Sequence, residues 1–445
     1  MPEIAHERLQ QFARMRDVAR EIFSAALRNA SIENAFARHL NCERGVLRIC
    51  EDLYDLQAFS RIVVVSIGKA AHTMAAALEQ QMGSCLEGIV ASSLDPASQV
   101  RGFRYFRGGH PTPTAESIHA AHAILKSLSA LDPSSLVIFL LSGGGSSIVE
   151  KPVDAEISLE DLVSTYRALV HSGAPIASIN AIRKHLSAVK GGRLAQVACP
   201  AQQVSILVSD VPDATPDALA SGPTMPDSTS IYDCDRIAQQ YGLVAQFPPS
   251  VADLFRERAL EETPKSDDPA FVRARWWTVL SNKVAIDEAG IAATHAGFAV
   301  EIDNSCDDWD YEKASDYLLG RLRELRRTTS RVCLLSGGEV TVAVRNGGIG
   351  GRNQQFALAC ARKIAGEDIT VLSAGTDGID GNSSAAGAIA DGSTLFRTGP
   401  LSGLEGARQA LASFNAYPFF VSLGDALLTG ATGNNLRDVR ILLAY

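Results

Sequence analysis

Six apolar runs punctuate the chain, and each gives way to serine and small polar residues: IVVVSIGK at 62–69, VIFLLSGGGSS at 137–147, VSILVSDVP at 204–212, WTVLSNK at 277–283, VCLLSGGE at 332–339 and ITVLSAGTDGIDG at 369–381. Unbroken apolar runs, without the alternation of a half-exposed strand, mark strands covered on both faces. Stretches with helical spacing lie between them. AAHTMAAALEQQM follows the first run, and ISLEDLVSTYRALVHSG opens with Ser158 and Asp161 at the spacing of a capping box. Strand, loop and helix in repetition predict an α/β protein with mostly parallel sheets.

The pattern has two halves. LLSGGGSSI at 140–148 resembles LLSGGEVTV at 334–342, either as a distant repeat or as one solution to one turn. The charged, proline-bearing stretch ERALEETPKSDDPAFVRAR at 257–275 lacks an apolar period and reads as a linker. It predicts two domains, residues 1–265 and 266–445.

Composition supports globular domains. The chain has 445 residues, 46% hydrophobic and 20% charged, which is too apolar for disorder. No run approaches the ~20 apolar residues of a membrane span. The first 23 residues mix acids and bases on a helical pattern and lack a signal peptide's apolar centre, so a cytoplasmic protein is expected. A net charge of −9 disfavours nucleic acid and anionic membrane as partners. The cysteines at 42, 50, 85, 199, 234, 306, 333 and 360 form no CxxC pair, and the nine histidines show no HxxxH or HExxH spacing. Reduced, buried thiols and no zinc site are expected.

In open α/β sheets ligands bind beyond the carboxyl ends of the strands. Here those ends carry glycine, serine, lysine and aspartate. Glycines admit a ligand close to the backbone, and the amides that open the following helix seat an anion. Lys69 follows Gly68 where a helix is expected to start, a place the helix dipole disfavours for a cation. Arg352 and Asn353 repeat that placement after the glycines of 347–351. Asp210 ends a strand, where an acid holds a metal or takes a hydroxyl proton. Asp210 opens a long Pro-, Asp- and Ser-rich loop. RKHLSAVKGGR gathers Arg183, Lys184, His185, Lys190 and Arg193. Arg183 and Lys190 are spaced to share a helix face, as a carboxylate or phosphate contact or as a solvated basic face. Glu339, Asp377, Asp380, Asn434 and Asn435 lie in polar or glycine-flanked loops, and His110 stands on a turn, as a contact or as turn chemistry. Neither GxxxxGK[ST] nor GxGxxG occurs, nor do protein-kinase motifs, so no P-loop and no standard dinucleotide site is expected.

Taken together, SIGKAA, GHPTPTAES, LLSGGGSS, INAIRKHLSAVKGGRLA, LVSDVPDATPDALASGPT, LLSGGEVTV, GGRNQQFALA, AGTDGIDG and TGATGNNLRD resemble the class II glycerate 2-kinase family, whose members carry a MOFRL domain. The resemblance runs from about residue 60 to 442. It implies ATP-dependent phosphorylation of D-glycerate at its 2-hydroxyl, with magnesium or another divalent cation. It also implies an N-terminal Rossmann-like three-layer sandwich, a second α/β domain and an active site in the cleft between them. Homo-oligomerisation stays open.

Matched motif by motif, the resemblance assigns catalysis to Lys69, Asp210 and Arg352. It also carries over Glu339, Asp377 and Asn435; with them Gly68, Ser142, Gly143, Gly144, Gly145, Ser146, Arg183, Lys190, Ser281, Asn282, Gly338, Gly351 and Asn353, from their places at the strand ends, helix starts and basic segment, are expected at substrate or nucleotide. Asp210, Glu339 and Asp377 are the metal candidates. Lys69 and Arg352 would neutralise phosphate oxygens and the substrate carboxylate, and the glycine loops at 143–145 and 347–351 would supply amides. The family usually reads TGTNVND where this chain has Thr432-Gly433-Asn434-Asn435-Leu436-Arg437-Asp438; Asn434 replaces a threonine and Arg437 an asparagine. Some members are named hydroxypyruvate reductase. An NAD(P)H-dependent reductase and a non-catalytic small-anion binder are the rival readings.

Overall fold

The computed structural model describes residues 6–83, 86–96, 98–344, 347–397, 401 and 403–445; Cys85 lies outside them. The chain divides into two compact units, one of Ile32–Val279 and one joining Met1–Ser31 to Leu280–Tyr445. The division falls at 279/280, and the N-terminal helix His6–Asn29 belongs with the second unit.

The first unit opens with a three-stranded antiparallel sheet of β1 (Leu40–Glu43), β2 (Val46–Ile49) and β3 (Asp52–Asp55). Its main sheet contains β4 (Arg61–Ile67), β5 (Glu87–Ser92), β6 (Phe103–Arg107), β7 (Ser135–Ser142), β8 (Gln202–Val208) and β9 (Ala274–Leu280), in the order β6-β5-β4-β7-β8-β9. The four pairings from β6 to β8 are parallel. Val63, Val65, Val137, Phe139 and Leu141 pack with Ile124 and Leu128 of the helix Ala115–Leu128. Their neighbours Val64, Ile138 and Leu140 are equally buried, so both faces are covered and the strands read as unbroken apolar runs.

The second sheet is built differently. It contains β10 (Ala299–Ile302), β11 (Val332–Ser336), β12 (Ile369–Gly375), β13 (Gly387–Asp391), β14 (Ala426–Leu427) and β15 (Asp438–Ala444), in the order β10-β11-β15-β12-β13-β14. Only β10 and β11 run parallel; the other four pairings are antiparallel. The expectation of mostly parallel sheets therefore fails here. The C-terminal β15 inserts between β11 and β12, antiparallel to both. LLSGGGSSI and LLSGGEVTV thus share a strand-to-glycine turn but stand in different strand contexts.

Packing explains the placement of the N-terminal helix. Phe12, Ala19, Ile22, Phe23 and Ala26 form its buried stripe, and Phe12 meets Tyr445 edge-on at 6.4 Å. Arg16 pairs with the buried Asp391, and Arg8 Nε donates to Asp368 Oδ1 at 2.8 Å.

The expected linker is packed too. Thr263 is buried, Asp227 N–H donates to the Pro264 carbonyl (3.0 Å) and Glu262 Oε1 meets His185 Nε2 (2.8 Å). Two of its acids face the basic segment 183–193, Glu262 on His185 and Glu261 on Arg193.

Candidate active site

In the first unit, the ends of three strands meet where the order of the sheet reverses. β4 and β7 are neighbours, yet β4 leads on to β5 on one side and β7 to β8 on the other. That switch point is where doubly wound sheets seat ligands. Lys69 follows β4, Gly143–Gly145 follow β7, and Asp210 lies just past β8. Lys69 N–H donates to the Gly143 carbonyl (2.9 Å) and Ala70 N–H to Ser142 Oγ (3.1 Å). A β-carbon on Gly68 would overlap Ser142, and one on Gly143 would overlap the Asp210 carboxylate.

Gly144 adopts φ +83°, a conformation that favours glycine. It lies between the imidazole of His110 and the stem of Lys69, whose nearest atoms stand 3.0 and 3.1 Å from where its β-carbon would be. His110, which the sequence leaves between contact and turn residue, therefore joins this tip. Partial desolvation, and then the Lys69 ammonium, lower its pKa and favour the neutral ring. The Ser146 and Ser221 hydroxyls pair at 2.6 Å. Among the described residues, no acceptor takes the amides of Gly144, Gly145 or Ser146. Lys69 is exposed. The tip thus offers a cation, open amides, a neutral imidazole and a carboxylate.

Arg183 and Lys190 belong to a separate set of contacts. The helix Ile176–His185 ends before Lys190, so the two do not share a helix face. They converge on Tyr166, with the Arg183 guanidinium carbon 4.4 Å and Lys190 Nζ 5.6 Å from its ring centroid. Lys190 is 1% exposed and paired with Glu150, which also accepts from Tyr166 (2.5 Å) and Ser187 (2.6 Å). Burial pulls the Lys190 pKa down to about 8 against the pull of Glu150. Lys190 is thus a buried network member with no open face for a ligand. Lys184 bonds Asp217 (2.9 Å) and Asp227 (3.2 Å), tying down the loop after Asp210. The basic segment is an internal brace.

In the second unit, Glu339 follows β11, Asp377 follows β12, Asp438 opens β15, and Arg352 begins the helix Arg352–Lys363. Arg352 binds Asp438 through Nε (2.6 Å) and Nη2 (3.0 Å), and Nη2 also meets Glu339 Oε1 (2.8 Å). Burial works against its charge, but the bonds to Asp438 outweigh that and raise its pKa. The Asp377 and Asp438 carboxylates both stand beside Gly375, and Asp377 Oδ1 accepts the Ile379 amide (3.0 Å).

Several second-unit candidates turn inward. Gly338 N–H donates to Asn282 Oδ1 (2.9 Å), while Asn282 Nδ2 donates to the carbonyls of Leu436 (2.7 Å) and Asp438 (2.9 Å). Ser281 precedes the helix Asn282–His295, and Asn435 Oδ1 accepts the Arg437 amide (3.0 Å). Asn353 is buried on Asp380 and Ser373.

The helix start after Gly351 is already capped by the chain itself. Asp380 accepts the amides of Asn353 (3.1 Å) and Gln354 (2.9 Å), and Gly351 abuts its carboxylate. Asn415 and Asn382 take the amides of Ile349 and Gly350. In the expected amide cradle at 347–351, the amides of Ile349 and Gly350 are therefore taken by side chains. A remote acid fills the capping role, and no local spacing could have revealed it.

One triad-like set went unnoticed in the sequence. Cys234 Sγ lies 3.2 Å from His185 Nδ1, whose Nε2 meets Glu262. Burial drives the thiol pKa upward, so it stays protonated and is no nucleophile. Among the described residues no group of three or more His, Cys, Asp or Glu is arranged to hold a metal. No helix among them is long and apolar enough to cross a membrane.

Residues 18–256 match a model described as a domain of unknown function, DUF4147, and residues 332–438 match the MOFRL family. A D-glycerate 2-kinase of Thermotoga maritima is 36% identical over 389 residues, covering 86% of this chain and 90% of that protein. An Agrobacterium vitis protein named "Putative hydroxypyruvate reductase" is 34% identical, covering 96% and 94%. The crystal structure of glycerate kinase from Thermotoga maritima matches with a TM-score of 0.83 at 32% identity, covering 97% of this chain and 100% of that one.

Proposed function

The chain belongs to the class II glycerate 2-kinase family, and from that membership we propose that it phosphorylates D-glycerate at the 2-hydroxyl with ATP, giving 2-phospho-D-glycerate and ADP. The observation that carries the reading is the grouping of Lys69, His110, the Gly144–Ser146 amides and Asp210 at the switch point of a parallel sheet.

Phosphoryl transfer asks a protein mainly for positioning and charge compensation. The 2-hydroxyl oxygen bonds to the γ-phosphorus as the bond to the β–γ bridging oxygen breaks, and the electron pair leaves with ADP. Lys69 and the open amides compensate charge on the phosphate oxygens. Arg352, with Nη1 unpaired among the described residues, serves a phosphate oxygen or the substrate carboxylate. Asp210 accepts the hydroxyl proton or holds the cation.

A divalent cation that arrives with a nucleotide needs only one or two protein carboxylates and neutralises phosphate charge. Asp210, set against Gly143 at the tip, meets that lesser requirement, and Glu339 and Asp377 are the further carboxylates. The seven described cysteines are all free, which supports a reducing compartment, the cytoplasm.

The reductase name of the Agrobacterium relative supports a second reading, against which stands the absence of GxGxxG. ATP and D-glycerate with enolase as the coupling enzyme test the proposal, because enolase consumes 2-phosphoglycerate and not the 3-phospho isomer. Signal without added mutase is the expected result. NADH oxidation with hydroxypyruvate, and no ADP from any hydroxy acid, would overturn it.

A further inference from the structure

The turn Gly337-Gly338-Glu339 carries the carboxylate that meets Arg352, and its backbone is gripped from several sides. Asn304 Oδ1 accepts the Gly337 amide (2.7 Å), Asn282 Oδ1 the Gly338 amide (2.9 Å) and Asp307 Oδ1 the Glu339 amide (2.9 Å). The Glu339 carbonyl accepts from Asp308 N–H at 2.8 Å. Beneath the turn, Arg440 is fully buried and donates to the carbonyls of Gly337 and Gly338.

Asp307 is in turn held by Arg437, the residue that departs from the family's asparagine. The guanidinium is only 7% exposed and grips the carboxylate with both ends, Nη1 to Oδ2 at 2.8 Å and Nη2 to Oδ1 at 2.6 Å. A bidentate arginine–carboxylate pair fixes orientation as well as distance. Arg437 therefore points into the fold, where its partner is the acid that fixes the Glu339 backbone.

We propose that Arg437 and Asp307 are positioning residues of the phosphoryl-transfer site: together with Arg440 they hold the 337–339 turn so that Glu339 keeps Arg352 in place. This rests on the kinase reading, in which Arg352 serves a phosphate oxygen or the substrate carboxylate. It differs from a purely structural role in one respect. The effect on catalysis runs through Arg352, so it disappears when Arg352 is gone.

Arg437→Met and Asp307→Asn are compared with wild type and combined with Arg352→Ala, all in the full chain. Each single variant lowers kcat with ATP and D-glycerate by about 10- to 100-fold, the scale of a roughly 1 Å misplacement. In the Arg352→Ala background each costs less than about threefold further, as expected for residues acting as one unit. Amide exchange over residues 332–341 accelerates in both variants, whatever the enzyme turns over. Should Arg437→Met not fold, Asp307→Asn, at a side chain 30% exposed, makes the same comparison. Unchanged kcat, a full independent loss in the Arg352→Ala background, or unchanged exchange would each overturn the clamp. If wild-type protein gives no 2-phosphoglycerate, the kinase reading fails, and the exchange measurement alone decides the clamp.

Discussion

Arg352 is bound side-on by Asp438, a fully buried carboxylate that opens the central strand of the second sheet. The arginine proposed for ligand chemistry is thus also the counter-charge that lets an acid sit inside the fold. Arg352→Ala should therefore fail twice. It lowers kcat by about 10²–10³, as for removal of a preorganised charge donor. It also lowers stability by about 3–5 kcal/mol, because a buried carboxylate loses its bidentate partner and is left with Arg440 Nη1 at 3.9 Å. Chemical denaturation of Arg352→Ala/Asp438→Asn separates the two effects: the double variant regains stability and stays slow.

Lys69 gives the opposite combination. Its side chain is exposed and carries no ion pair among the described residues. Lys69→Ala should lower kcat by about 10²–10³ with no measurable change in the unfolding midpoint. Near-normal turnover would remove Lys69 from the chemistry.

Lys190 is predicted to matter for folding only. Lys190→Met strands Glu150 in the interior and should cost about 3–5 kcal/mol, while KM for ATP and for D-glycerate stays put. Lys190→Met/Glu150→Gln should recover most of that stability. A raised KM in a folded variant would restore the direct-contact reading of the basic segment.

Asp380 gives a pH dependence of known sign. Burial raises its carboxyl pKa to about 7, against the pull of the Gln354 and Asn353 amides. The folded chain thus binds this proton more tightly than the unfolded chain does. The stabilisation is complete below the ordinary aspartate range and is lost as pH rises to about 7. Between pH 4 and pH 7 the unfolding free energy of wild type should fall relative to that of Asp380→Asn. Parallel pH profiles for the two proteins would show that Asp380 does not titrate in this window.

β4, β7 and β8 were legible because both of their faces are covered, so burial wrote them as unbroken apolar runs; β6, half-buried to exposed along its length, left no such run. Lys69, Gly143–Gly145 and Asp210 were legible because each stands at the end of such a run. The antiparallel middle of the second sheet was not, since β15 pairs with strands far away in the chain and an apolar run does not state the direction of its neighbours.

The chain by itself determined the alternation of elements, the glycine turns and the residue types at the strand ends, all set by local periodicity and backbone freedom. Tertiary structure alone decided which charges pair with one another. Lys190 met Glu150, Asp380 capped a helix opened by Arg352, and Arg437 closed on Asp307. Those outcomes depend on partners remote in sequence, because a buried charge is stable only where the fold brings its counterpart to it.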